Sequence, residues 1–151
     1  MYSELSEKQQ NVSTKAAFIA GGATVHSVLR VPANQTLTFR RLDYESLNTL
    51  RTHISHVKVW LIDEISMVGH CMMSFIDQRL QEVNSSHPFG GASVVVFGDL
   101  FQLPPVMDGF IFSDLSQSHS QVEQYNALAP NLWKTHFTMF ELSTFMRQQD
   151  S

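Results

Sequence analysis

VKVWLIDEISMV, Val57–Val68, decides how this chain is read: a run of strand-forming residues closes on two adjacent carboxylates, Asp63 and Glu64. Nearly every residue of Val57–Ile62 is apolar, which predicts a strand covered on both faces, as in a parallel sheet. The pattern recurs as SVVVFGDLFQLPPV, Ser93–Val106, where Val94–Phe97 reads as a second buried strand and Asp99 follows Gly98. In parallel α/β proteins ligands sit at the carboxyl ends of strands, so Asp63, Glu64, Asp99 and Gln102 are expected to converge on one crevice.

The flanking sequence fills in an α/β three-layer pattern. Upstream, residues 1–12 form a polar arm, and Ala16–Ala20 is a short apolar piece stopped at Gly21–Gly22. Thr24 can cap a turn of helix carrying Val25, Val28 and Leu29, ended by Pro32. Asp43 can cap a helix through about Thr52, with Leu47 and Leu50 facing inward beside Tyr44. Between the strands, a helical period runs from Ser66 to about Val83 until PFGG, Pro88–Gly91, breaks it. Pro104–Pro105 forbids continuation of the second strand. Ser113–Gln124 reads as a surface loop, Asn131–Thr135 as a short helix carrying Trp133, and Phe137–Leu142 as a third strand. No repeat, linker or second domain is visible within the 151 residues.

Composition excludes several classes. Apolar residues make up 43% and charged residues 16%, which rules out wholesale disorder. No apolar run approaches the roughly 18 residues of a membrane span, and MYSELSEKQQ lacks the order of a signal peptide. Cys71 stands alone, so there is no disulfide framework and an intracellular protein is expected. The net charge of −4 argues mildly against a dedicated nucleic-acid module, although a DNA track can be shared with a domain outside this sequence.

Asp63–Glu64 at a strand end has the form of a Walker B element, in which Asp holds Mg²⁺ and Glu polarises the attacking water. The alternative is that either acid simply starts the helix that follows. In the second motif Gly98 permits a sharp turn, Asp99 can orient water or a neighbouring ligand, and Gln102 offers both an acceptor and donors. A plain turn is again the alternative. His53 and His56 lack a second ligand pair for zinc, and His70–Cys71 reads as the edge of the core.

DEISMV (Asp63–Val68), GDLFQLPPV (Gly98–Val106) and MRQ (Met146–Gln148) resemble motifs II, III and IV of the Pif-type ATP-dependent DNA helicases. These are superfamily-one, RecD-related enzymes that translocate 5′ to 3′ and include helicase parts of Helitron-type elements. KAAF (Lys15–Phe18) with GGATVHSVLR (Gly21–Arg30) resembles their motif Ia region, and PFGG fits as well. The resemblance implies a RecA-like fold over residues 13–151, forming part of the first motor domain, with ATP and Mg²⁺ as cofactors. It also implies work on single-stranded DNA and DNA junctions in repair, recombination or telomere maintenance, inside the cell and in its nucleus, with no membrane involved.

Residue by residue, the resemblance implies that Asp63 coordinates Mg²⁺, Glu64 is the catalytic base and Gln102 couples the γ-phosphate to the DNA track. Asp99 lies with them in the nucleotide site, and Arg147 touches the γ-phosphate, where a guanidinium stabilises transition-state charge. Thr24, His26 and Ser27 would contact single-stranded DNA, mostly through its backbone.

The phosphate-binding signature G-x-x-x-x-G-K-[ST] does not occur in the sequence, and Gly21–Gly22 and Gly90–Gly91 have no Lys-Ser/Thr after them. In the family that loop precedes the KAAF region, and a second RecA-like domain follows. The sheet is therefore expected to lack its phosphate-loop strand, exposing an apolar edge beside Val94–Phe97. The 151-residue chain alone is expected to bind ATP poorly and to turn over none. A non-catalytic remnant that at most binds nucleic acid or a partner helicase is the alternative.

Overall fold

The computed structural model describes residues 22–32, 39–106, 108–113 and 131–143. Lys15–Phe18, Arg147 and most of the expected loop at residues 113–124 lie outside the described residues.

Strands β1 (Val59–Ile62) and β2 (Ser93–Val96) pair in parallel, from Val59 opposite Ser93 to Ile62 opposite Val96. Backbone hydrogen bonds extend the ladder past both ends: Ser93 N donates to Lys58 O at 2.9 Å and Phe97 N to Ile62 O at 2.8 Å. The crossover between them carries helix α3 (His70–Val83), preceded by helices α1 (Val25–Val28) and α2 (Tyr44–Ile54) and followed by α4 (Leu132–His136). Asp43 caps α2, its Oδ1 accepting from Ser46 N at 2.8 Å, and this bond holds the carboxyl below its ordinary pKa. Thr24 and Asn131 cap α1 and α4 in the same way.

The core joins Leu29 and Val31, Leu50 and Ile54 of α2, Ile62, Ile65 and Val68, and Met73, Phe75, Ile76, Leu80 and Val83 of α3. Trp60, Val94 and Val96 pack against it. That uses one face of the sheet. The other face is open: Val59 is 52% exposed, Leu61 69%, Val95 41% and Phe97 50%. The expectation of strands buried on both faces is thus corrected for this chain. An all-apolar strand records what its side chains tolerate, while its burial depends on whatever packs over it.

Three further boundaries differ from the sequence reading. Phe137–Leu142 forms no strand; Met139, Phe140 and Leu142 are exposed, with no pairing partner among the described residues. Strand propensity cannot supply a neighbour. Tyr44 is exposed because it opens α2, and side chains in a first turn tilt toward the N-terminus, past the packed face. The helix expected from Ser66 begins instead at His70, after a 3₁₀ turn at Ile65–Met67. Gly69, the N-cap of α3, forms an antiparallel bridge with Phe110, and a Cβ on it would come within 2.2 Å of Asp108 Cγ.

One side of α3 is polar, buried and fully engaged. Arg79 donates from Nε to Leu29 O (3.2 Å) and from Nη2 to Arg40 O (3.1 Å), and its Nη1 pairs with Glu82. Its guanidinium lies 4.8 Å from the Phe39 ring centre and 5.1 Å from that of Phe75. Burial lowers the Arg79 pKa, and the Glu82 carboxylate opposes that shift. Asp77 accepts from Phe89 N (2.6 Å) and Gln81 Nε2 (2.8 Å). The first bond holds the PFGG turn, where Gly90 sits at φ 64° with no room for a Cβ beside Leu80 O.

Candidate functional site

Past the strand ends the chain bends twice, and the two bends touch. Glu64 adopts a left-handed conformation (φ 56°, ψ 49°), uncommon for a side chain with a Cβ, which lets Ile65 N return to Phe97 O at 2.9 Å. Gly98 has φ 141°, and a Cβ placed there would lie 2.8 Å from Ile65 N. Glycine is required at this close approach. The contact sets the two bends side by side at the carboxyl end of the sheet, with Asp63, Glu64 and Asp99 on them, all exposed.

Glu64 does open the 3₁₀ turn at Ile65–Met67, its carbonyl accepting from Met67 N at 3.0 Å, but through its backbone alone. Glu64 makes no capping bond with its side chain, and Asp63 Oδ1 accepts only from Glu64 N, at 2.9 Å. The N-terminus of α3 is capped instead by Asp108, which accepts from Cys71 N (3.2 Å) and Met72 N (3.0 Å). Asp99 does shape a turn: its Oδ1 accepts from Phe101 N at 2.9 Å. Gln102 N bonds Asp99 O at 3.1 Å, so the glutamine sits one turn beyond the acids with its side chain exposed. Phe101 beside it is 99% exposed.

Carboxylate oxygens are the donor type that suits Mg²⁺, a hard cation that keeps several waters and binds through one or two carboxylates. Asp63 retains its second oxygen, and the Glu64 carboxylate has no hydrogen-bond partner among the described residues. Thr24, His26 and Ser27 form a separate turn. Thr24 Oγ1 donates to Ser27 Oγ (3.0 Å), and Ser27 Oγ donates to Thr24 O (2.9 Å). Both hydroxyl protons are therefore used within the turn. His26 is exposed overall, and the part of its ring that meets protein is desolvated enough to lower its pKa. Among the described residues no hydrogen bond joins this turn to the acids.

Sequence reading missed Asp108, Asp77 and Arg79, which position the site's supports. Asp108-Gly109 is a recognisable turn signal, but the helix end it caps lies 37 residues away in sequence. Charged residues on a helix normally read as solvated, so Asp77 and Arg79 carried no local mark.

A parallel strand pair joined through a helix, with carboxylates gathered past both strand ends, is the arrangement of RecA-like α/β domains. The PIF1-like helicase family model matches residues 8–151. The chain belongs to that family. It is similar to the ATP-dependent DNA helicase Pif1 of Psychrobacter sp., 38% identical over 93 residues, which are 60% of this chain and 14% of the relative. The similarity to ATP-dependent DNA helicase PIF1 of Xenopus laevis extends over 138 residues at 30% identity, 89% of this chain and 20% of the relative. The chain thus spans a small part of these relatives' length.

Among solved structures, a double mutant of Pif1 helicase from Bacteroides matches with a TM-score of 0.63 at 32% identity, covering 89% of this chain and 31% of that one. Bacteroides sp. Pif1 in complex with ADP-AlF4 matches at 0.53 and 41% identity, covering 62% and 22%. A structure addressing DNA unwinding at forked dsDNA by two coordinating Pif1 helicases matches at 0.54 and 41%, covering 62% and 23%.

Proposed function

We propose that residues 13–151 are part of the first motor domain of an ATP-dependent DNA helicase that moves 5′ to 3′ and serves DNA repair, recombination or telomere maintenance in the nucleus. The observation that carries this reading is the contact between the two post-strand bends, which puts the Asp63–Glu64 and Gly98–Asp99 motifs at one end of the sheet. Family membership and a relative named for ATP-dependent DNA helicase activity support it. The neighbour concerned with forked dsDNA supports single-stranded DNA and junctions as substrates.

In this reading Asp63 would hold Mg²⁺ and Asp99 would orient water or a neighbouring ligand beside it, and Mg²⁺ bound with ATP would supply charge neutralisation at the phosphates. Glu64 takes the proton of the attacking water; its exposed carboxylate is an acceptor without a competing donor. Gln102 reports on the terminal phosphate from the adjoining turn, and Arg147 stabilises charge developing there. His26, whose pKa is lowered by partial burial, offers its ring nitrogens to DNA for hydrogen bonding. Thr24 and Ser27 shape that turn and offer acceptor oxygens or backbone donors.

The test uses the protein from its longest reading frame. ATP turnover stimulated by single-stranded DNA is expected, and Glu64→Gln is expected to reduce it by about 100-fold or more. Undiminished turnover in the variant would remove Glu64 from the mechanism. Absence of DNA-stimulated turnover in the parent would favour the non-catalytic reading.

A further inference from the structure

We propose that His70, Cys71 and Asp108 form a binding site for a thiophilic divalent cation of the zinc class, where the N-terminus of α3 meets the segment beyond Pro104–Pro105. One imidazole nitrogen, the sulfur and one carboxylate oxygen lie within 4.8 Å of one another. Cys71 Sγ is 3.4 Å from His70 Nε2, and His70 Nδ1 is 3.5 Å from Asp108 Oδ1. Zinc takes nitrogen, sulfur and oxygen donors at about 2.0–2.3 Å, which sets tetrahedral donors roughly 3.3–3.8 Å apart. The two short distances involve opposite ring nitrogens and an ion takes only one of them, so a turn of the imidazole is needed to close the set from within 4.8 Å to these separations.

The backbone around the three residues is already fixed. Gly69 bridges Phe110, and His70 N donates to Gly109 O at 3.1 Å. A Cβ on Gly109 would lie 2.8 Å from His70 Nδ1, so the imidazole lies directly against that backbone. The Asp108 side chain is 2% exposed and that of His70 13%. Asp108 accepts from three backbone N–H groups, those of Cys71, Met72 and Gly109, which leaves about one of its four lone-pair directions for a ligand.

Charge also balances. Binding expels the thiol proton to solvent, and the thiolate with the carboxylate then neutralises a divalent ion. That attraction outweighs the roughly half positive charge of the helix N-terminus. Solvent completes the fourth position. The bound ion would clamp α3 to the segment that follows the Gln102 loop, a role independent of nucleotide chemistry.

The test titrates the full 151-residue chain, first stripped with chelator, with zinc alone and then with cobalt(II). One equivalent of zinc, a rise in Tm and a thiolate-to-cobalt charge-transfer band are expected. Cys71→Ser keeps the size and hydrogen bonding of the residue, and its circular dichroism checks the fold. It is expected to abolish the band and weaken zinc binding at least tenfold. Asp108→Asn should also weaken binding, but it removes the helix cap as well, so Cys71→Ser decides. Zinc that binds Cys71→Ser as tightly as the parent is an adventitious ion only, held by other histidines, and overturns the proposal. So does cobalt binding without a thiolate band.

Discussion

The inner side of α3 and the open end of the β1–β2 pair handle charge in opposite ways. Arg79, Asp77 and Glu82 are enclosed, and each is tied to backbone groups from distant segments. Asp63, Glu64 and Asp99 are exposed, and among the described residues their side chains accept hydrogen bonds from their own loops alone. Enclosed charges with complete partner sets hold a fold in one arrangement. Exposed carboxylates past the strand ends, with acceptor capacity left over, add nothing comparable to stability. The contrast separates charges that hold this domain together from charges that carry none of its packing.

Breaking the enclosed set should give the largest effect. Arg79→Ala strips donors from Leu29 O and Arg40 O, leaves Glu82 without its cation and empties the space between Phe39 and Phe75. A loss of about 3–5 kcal/mol is expected in urea unfolding, a large fraction of the roughly 5–15 kcal/mol by which domains are stable. A loss below 1 kcal/mol would show that the cluster is not a structural anchor.

Gly98→Ala tests the contact between the bends. The new Cβ would press on Ile65 N from a left-handed backbone position, so a loss of about 1–3 kcal/mol is expected by thermal unfolding. Weaker Mn²⁺ binding, followed by the metal's paramagnetic resonance signal, should accompany it. Stability unchanged by Gly98→Ala would mean that the bends do not depend on each other.

Glu64→Gln should move stability by less than about 0.5 kcal/mol, in contrast to its expected effect on turnover, because the carboxylate supports no other group. A large drop in Tm would class Glu64 with Arg79 and erase the distinction drawn above.

The smallest effect concerns pH. The folded state lowers the His26 pKa, so the unfolded chain binds a proton more readily. The resulting contribution to stability is fully present above the ordinary imidazole pKa and is lost as pH falls through the folded value. His26→Gln should flatten the slope of Tm against pH on the acidic side of neutrality. An unchanged slope would show that another group sets it.

Much of the α/β pattern was legible because its signals are local. Thr24, Asp43 and Asn131 cap helices within three residues of themselves, and an apolar run stopped by an acid marks a strand whether or not its partner is known. Family membership was legible for a similar reason: DEIS and GDLFQLPP are short contiguous runs, recognisable without knowledge of what packs on them.

Other features depended on distant segments. No local signal says that Asp108 caps the helix starting at His70, that Arg79 reaches Leu29 and Arg40, or that the outer faces of Val59, Leu61 and Val95 stay open. Sequence by itself determined where turns, strands and acids lie, because backbone sterics and side-chain chemistry act over a few residues. Tertiary structure alone decided which polar groups were enclosed, which face of the sheet was covered and that the two acidic bends touch. Those outcomes are set by packing between segments tens of residues apart.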